Sequence, residues 1–213
     1  MNNLNFISAE IFISLSIMFL LILGVFKKNS SSLIHNLSIG LLLITGILIL
    51  NNPSKNNVTL FANSYIIDSL SSFMKILTII SGAFVLSIST KYLKISKIFL
   101  IEYPILILSS ILGMMVMISA NDLMVFYIGL ELQSLALYVL ASFNRDQLKS
   151  SESGLKYFVL SALSSGLLLY GCSLIYGFSG STNFNTISNT MDSNHYGLTF
   201  GIVFILVGLA FKI

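Results

Sequence analysis

Charged side chains are scarce in this sequence: Asp, Glu, Lys and Arg make up 9% of its 213 residues, where soluble domains carry about a quarter. With 55% of the chain hydrophobic, too little polar surface remains to cover a soluble core. A bilayer accepts apolar exteriors and requires only that backbone groups be satisfied within helices. Cysteine is nearly absent. The single Cys172, inside an apolar run, excludes an intrachain disulfide and a thiolate metal cluster, and reads as a small buried hydrophobe. There is no Walker loop, no dinucleotide glycine fingerprint, no His-Glu-x-x-His and no Gly-x-Ser-x-Gly. The net charge of +3 comes without a basic stripe interleaved with aromatics, which excludes a nucleic-acid footprint. The first ten residues hold Glu10 and no Lys or Arg, with no small-residue cleavage site, so no signal or transit peptide is expected. No fixed-period repeat and no long linker divides the chain, which predicts a single membrane domain over residues 1–213.

Long apolar runs are what the sequence has in their place. Seven have the length needed to cross about 30 Å of hydrocarbon: residues 10–26, 33–50, 65–90, 103–120, 123–143, 154–178 and 196–213. The expected fold is all-α, a polytopic bundle of seven transmembrane helices, with a very tight turn at Asn121-Asp122. Basic residues mark the non-translocated side. The first, third and fifth connectors carry Lys27, Lys28, Lys91, Lys94, Lys97, Arg145 and Lys149; the others carry only Lys55. The N-terminus is therefore expected to face outward.

Five ionisable groups lie at expected membrane depth: Glu131, Lys75, Asp68, Lys156 and Lys212. Each costs about 2.5–3.5 kcal/mol at a helix centre, so each needs a reason. Helical spacing sets Tyr127, Ser134 and Tyr138 on the face of Glu131, a polar stripe that lines a hydrated cavity or holds the carboxylate; the alternative is a buried lock between helices. Lys156 follows a polar connector closely enough to snorkel to the surface. Asp68 and Lys75, seven residues apart on one face, are expected to form a bridged structural pair. Lys212 follows about 24 Å of helix from Tyr196, where snorkelling again accounts for it. Ser161, Ala162, Ser165, Gly166, Gly197, Gly201 and Gly208 read as close helix packing. Ser150 or Ser151 is expected to cap the sixth helix, and His35 and His195 to hold interfacial polar positions.

The stretch NDLMVFYIGLELQSLALYVLASFNRDQLKSSESGLKYFVLSALSSGLLLYGCSLIYGFSGSTNFN, residues 121–185, together with the ending GLAFKI, resembles subunit 2 of the proton-pumping NADH:ubiquinone oxidoreductase, respiratory complex I, called subunit N in bacteria. The first hundred residues match mainly in helix pattern. The resemblance implies an antiporter-like fold shared with Mrp-type cation/proton antiporter subunits, built from two inverted repeats that each form a half-channel with a broken helix. Helices 1–3 would occupy residues 1–102, and helices 4–7 of the first half-channel residues 103–213.

The family's embedded glutamate is matched by Glu131 in GLELQSL, its central lysine on the broken seventh helix by Lys212 in AFKI, and an early sixth-helix lysine by Lys156 in GLKYF. In the family the chain continues beyond this lysine into a Val-Pro-Phe-His segment and a second repeat. A second polypeptide supplying the rest, or a sequence that is incomplete, is therefore expected. The implied function is proton transfer through Glu131, Lys212 and Lys156, driven by quinone reduction elsewhere. NADH, FMN, iron–sulfur clusters and ubiquinone would reside in other subunits, and none would be bound by this chain. A stand-alone antiporter subunit and a structural scaffold are the other readings. An Asn-, Ile-, Lys- and Ser-rich composition, as from an AT-rich genome, suggests the mitochondrial inner membrane, with a bacterial inner membrane as the alternative.

Overall fold

The computed structural model describes residues 6–27, 31–51, 58–96, 98–190 and 196–212. Lys28, Lys55, Lys97, His195 and Ile213, which entered the expectations above, lie outside the described residues. The chain folds as α1 Ser8–Phe26, α2 Ser31–Asn51, β1 Val58–Leu60, β2 Tyr65–Ile67, α3 Ser69–Ile95, α4 Glu102–Ile118, α5 Leu123–Ala141, α6 Leu148–Ser179, α7 Phe184–Thr190 and α8 Tyr196–Ala210. Five helices, α1, α2, α3, α5 and α6, are long and apolar enough to cross a membrane; α4 and α8 are apolar but shorter, at 17 and 15 residues.

Large apolar side chains such as Phe19, Phe84 and Leu160 point outward, while Ser38, Thr45 and Ser164 are fully buried between helices. That distribution suits lipid outside and small polar contacts inside. Ile13, Leu20, Ile34, Leu42, Leu86, Leu108 and Met115 form one core among α1–α4. Leu123, Leu168, Cys172, Ile175 and Leu198 form a second among α5, α6 and α8. Glycines join the helices at backbone distance: a Cβ on Gly113 of α4 would lie 2.6 Å from the Gln133 amide of α5, and one on Gly171 of α6 would lie 2.8 Å from the Gly201 carbonyl of α8. Gly208 and Gly201 pack as expected on α6, and Gly197 lies against the Phe178 ring; Gly166 instead has nothing within 4 Å.

A small cap ties together one end of the bundle. β1 and β2 pair antiparallel, Val58 opposite Ile67 and Leu60 opposite Tyr65. Phe61, Ala62 and Asn63 between them all adopt left-handed φ values of 51°, 53° and 67°, unusual for side chains with a Cβ. The turn is held by the Asn63 carbonyl, which accepts from Asn121 Nδ2 at 2.7 Å and Asn183 Nδ2 at 2.9 Å. The Ile66 amide donates to the Ser119 carbonyl at 2.8 Å. Asp122 begins α5 as its N-cap, accepting from the Met124 amide at 2.8 Å and from the Thr182 hydroxyl at 2.5 Å. Asp122→Ala removes both bonds and is expected to cost about 1–2 kcal/mol, read as a lower unfolding midpoint of the detergent-solubilised chain.

The expected spans are adjusted for local physical reasons. The third begins at Ser69 rather than residue 65, because Asp68 and Ser71 form a capping box and the residues before it pair as a strand. The sixth begins at Leu148, six residues early, because its first turns are polar and a hydropathy run cannot register them. Its N-cap is Gln147, and Ser150 instead donates to the Ala141 carbonyl at 3.1 Å, so neither Ser150 nor Ser151 caps it. The last helix ends at Ala210, leaving Lys212 in the following turn, its amide bonded to the Leu209 carbonyl at 3.0 Å.

Candidate functional site

Glu131 stands midway along α5, facing α6 and the end of α8. Its Oε1 accepts from Lys212 Nζ at 2.5 Å and from the Ser165 hydroxyl of α6, also at 2.5 Å. The two charged side chains are 21% and 10% exposed. The placement follows from the packing beneath it. Gly208 lets α8 approach until its Cβ position would be 3.0 Å from the Ser164 carbonyl, and Lys212 follows four residues later, one helical turn on. Lys212 therefore meets Glu131, on the carboxylate oxygen that Ser165 also holds, instead of extending to a water interface.

The polar stripe read along α5 is only partly engaged. Ser134 donates to the Glu131 backbone carbonyl at 3.1 Å and not to the carboxylate. Tyr127 packs against the second core. Ser134, Tyr138, Tyr157, Ser161 and Lys212 line a cavity of about 190 Å³ beside the ion pair. The serine that does hold the carboxylate, Ser165, is one whose sequence context signals only close packing. No spacing rule along one helix could have found it, because it belongs to a different helix.

Lys156 is not brought to this centre: its side chain is 71% exposed and pairs with Glu152, one turn earlier, at 2.6 Å. Asp68 and Lys75 do not pair either. Asp68 is engaged as the α3 cap, and Lys75 binds Glu10 of α1 at 2.6 Å. The Tyr65 hydroxyl donates to the same Glu10 oxygen at 2.8 Å, with Lys75 Nζ 3.1 Å from the Tyr65 oxygen. Burial, and then the Glu10 carboxylate, push the Tyr65 phenol well up from its ordinary range, so it remains a donor. Glu10 was missed as a membrane charge because it lies at the very start of its run. The available signal was Lys75, a buried cation in need of a carboxylate.

The two pairs differ in enclosure. Lys75 and Glu10 are 4% and 7% exposed and clamped by Tyr65, which suits a lock even though Glu10 and Tyr65 line a cavity of about 430 Å³; Glu131 and Lys212 are 21% and 10% exposed, with Lys212 on a cavity walled by polar side chains, which suits a pair that opens. His35, near the start of α2, is buried, its Nε2 donating to the Leu86 carbonyl at 2.9 Å and its ring tilted against Phe99. Among the described residues no group of three His, Cys, Asp or Glu side chains converges as a metal site.

A bundle of apolar helices joined through glycines, with a carboxylate and a lysine paired across α5 and the end of α8, defines an antiporter-like membrane subunit. Consistent with that class, the family model described as NADH:quinone oxidoreductase/Mrp antiporter, transmembrane, matches residues 120–213. Subunit N of the NADH-quinone oxidoreductase of Pelagibacter ubique is 83% identical over 213 residues, all of this chain and 45% of that protein. The chain belongs to the NADH-quinone oxidoreductase subunit N family. It spans less than half the length of the curated relatives it matches. Two solved structures share the fold: a chain of respiratory complex I from Thermus thermophilus with bound aureothin, at TM-score 0.79 and 24% identity, and one of the Mrp complex from Dietzia sp. DQ12-45-1b, at 0.71 and 20%. The matches cover 96% and 97% of this chain and 43% and 40% of those chains.

Proposed function

We propose that this chain forms part of a proton-translocating membrane subunit of an NADH:quinone oxidoreductase, in which it transfers protons and no electrons. The observation that carries the reading is the Glu131–Lys212 pair, its carboxylate also held by the Ser165 hydroxyl and its lysine lining a cavity. In low dielectric an isolated ammonium loses its proton more readily, and a carboxylate alongside restores it. Opening and closing the pair therefore switches proton affinity at the centre of the bundle. Lys156, exposed and paired with Glu152, would serve as a surface group exchanging protons with water.

All seven apolar helices would cross the membrane, α4 and α8 included, with the N-terminus outward by the basic-residue bias. The bacterial origin of the highly identical relative supports a bacterial inner membrane over the mitochondrial one. The length of the relatives supports a further set of helices, on the same or a second polypeptide, completing the half-channel. NADH, flavin, iron–sulfur clusters and quinone would be bound by other subunits, and quinone reduction there would drive the cycle.

Glu131→Gln in the full-length subunit, within the assembled complex, is expected to abolish most proton pumping while leaving assembly intact. Normal pumping in that variant would rule out the pair as the transfer centre, and loss of assembly would favour a scaffold. The Mrp likeness keeps a second reading, an antiporter subunit without a dehydrogenase; co-purification with NADH:quinone reductase activity separates the two.

A further inference from the structure

A second cavity of about 620 Å³ opens between the start of α4, the end of α5 and the start of α6. Glu102, Ser142, Arg145 and Ser151 are among its lining residues, and Glu102, Arg145 and Ser151 are exposed. By the topology proposed above this mouth faces the inner side. The smaller cavity beside Lys212 lies deeper. Of the residues that line the two, one is common to both: Tyr138.

Tyr138 is 6% exposed, and its hydroxyl has no hydrogen-bond partner among the described residues. Its ring packs edge-on against Tyr157 at 4.8 Å and Phe158 at 5.9 Å. Those contacts need an aromatic ring and nothing more; a phenylalanine would make them equally well. The hydroxyl is surplus to packing, and burying it without a partner costs about 1–3 kcal/mol. A cavity of about 190 Å³ with several polar walls, Tyr138 among its lining residues, has room for water, and a phenol can both donate to water and accept from it.

We propose that Tyr138 is the proton-relay residue between the inner groove and Lys212. The inference rests on the reading of Glu131–Lys212 as the transfer centre. Once Lys212 has passed its proton onward and stands as the neutral amine, a proton from water in the inner groove moves to the Tyr138 oxygen. The hydrogen already on that oxygen leaves through water in the deeper cavity to Lys212 Nζ. One proton arrives and one departs, so the phenol ends neutral and the amine becomes ammonium.

The test uses the full-length subunit in the assembled complex, in sealed vesicles, with proton uptake measured per NADH oxidised. Tyr138→Phe is expected to lower uptake about tenfold, the scale of one lost hydrogen-bonded step, with assembly unchanged. Tyr138→His, which keeps a ring able to donate and accept, recovers part of the loss. Tyr170→Phe, the same deletion on a half-exposed ring packed on Phe204, leaves uptake as in the wild type. If Tyr138→Phe pumps normally while Glu131→Gln does not, the relay is overturned and the transfer centre stands. If Glu131→Gln pumps normally, both fall. Failure of Tyr138→Phe to assemble would show that the hydroxyl serves structure and would also overturn the relay.

Discussion

Lys75→Met will destabilise the protein more than Lys75→Met combined with Glu10→Leu. The single replacement leaves the Glu10 carboxylate buried with only the Tyr65 hydroxyl for company, since its Oε2 has no partner among the described residues. Stranding a buried charge costs about 3–5 kcal/mol, whereas replacing a whole buried pair with apolar groups of similar volume is often close to neutral. The comparison separates the cost of an unpaired ion from the worth of the pair itself. Thermal unfolding of the single and double variants in detergent supplies it. If the double variant loses at least as much as the single one, Glu10 is not stranded by loss of Lys75, and the ion pair is not what fastens α1 to α3.

Gly171→Val is expected to have the second large effect, and through geometry rather than charge. A Cβ there would meet the Gly201 carbonyl at 2.8 Å and the Ile205 amide at 2.9 Å, both backbone atoms of α8. Backbone cannot swing aside as a side-chain tip can, so α8 must move away from α6. Overpacking of this kind costs about 1–3 kcal/mol. Its functional effect should exceed that cost, because Lys212 reaches Glu131 only while α8 lies against α6. Pumping by the full-length subunit in its complex should fall to the level of Glu131→Gln. Gly166→Ala, on the same helix with nothing within 4 Å of its Cβ position, is the matched control and should be silent. Equal behaviour of the two variants would mean that the approach of α6 and α8 does not set the ion pair.

The two experiments bear on different halves of the molecule. The Glu10–Lys75–Tyr65 cluster joins α1, α3 and the hairpin, and the hairpin is bonded to the turn from which α5 departs. The glycine contacts position α8 on α6. Glu131 is thus held from both directions: the cap fixes where α5 begins, and α6 and α8 bring its partners to it.

Apolar run length located α1, α2 and α5 to within a few residues, because a helix long enough to cross a bilayer must be continuously hydrophobic whatever its neighbours, and it also found the shorter apolar α8. The polar first turns of α6 were invisible to that criterion, as was the hairpin of residues 58–67, whose strands of three residues each are too short to register as a pattern. Cysteine scarcity, the absence of nucleotide and metal motifs and the embedded charges were likewise legible, since each is a property of residue type. Glu131 stood out as a candidate by its charge at expected membrane depth, and the family resemblance added Lys212 as its partner. Spacing alone had assigned Lys212 to snorkelling.

The sequence by itself determined that this chain is a membrane bundle carrying charges that demand partners, because composition and run length act locally along the chain. Only the tertiary structure decided which partner each charge has. Lys75 took Glu10, 65 residues away, rather than Asp68 on its own face; Glu131 took Ser165 and Lys212; Lys156 stayed at the surface with Glu152. Ion pairs of this kind are fixed by which helices pack and how closely. That closeness is set by glycines whose contacts lie across the bundle, a distance over which no periodicity in one helix carries information.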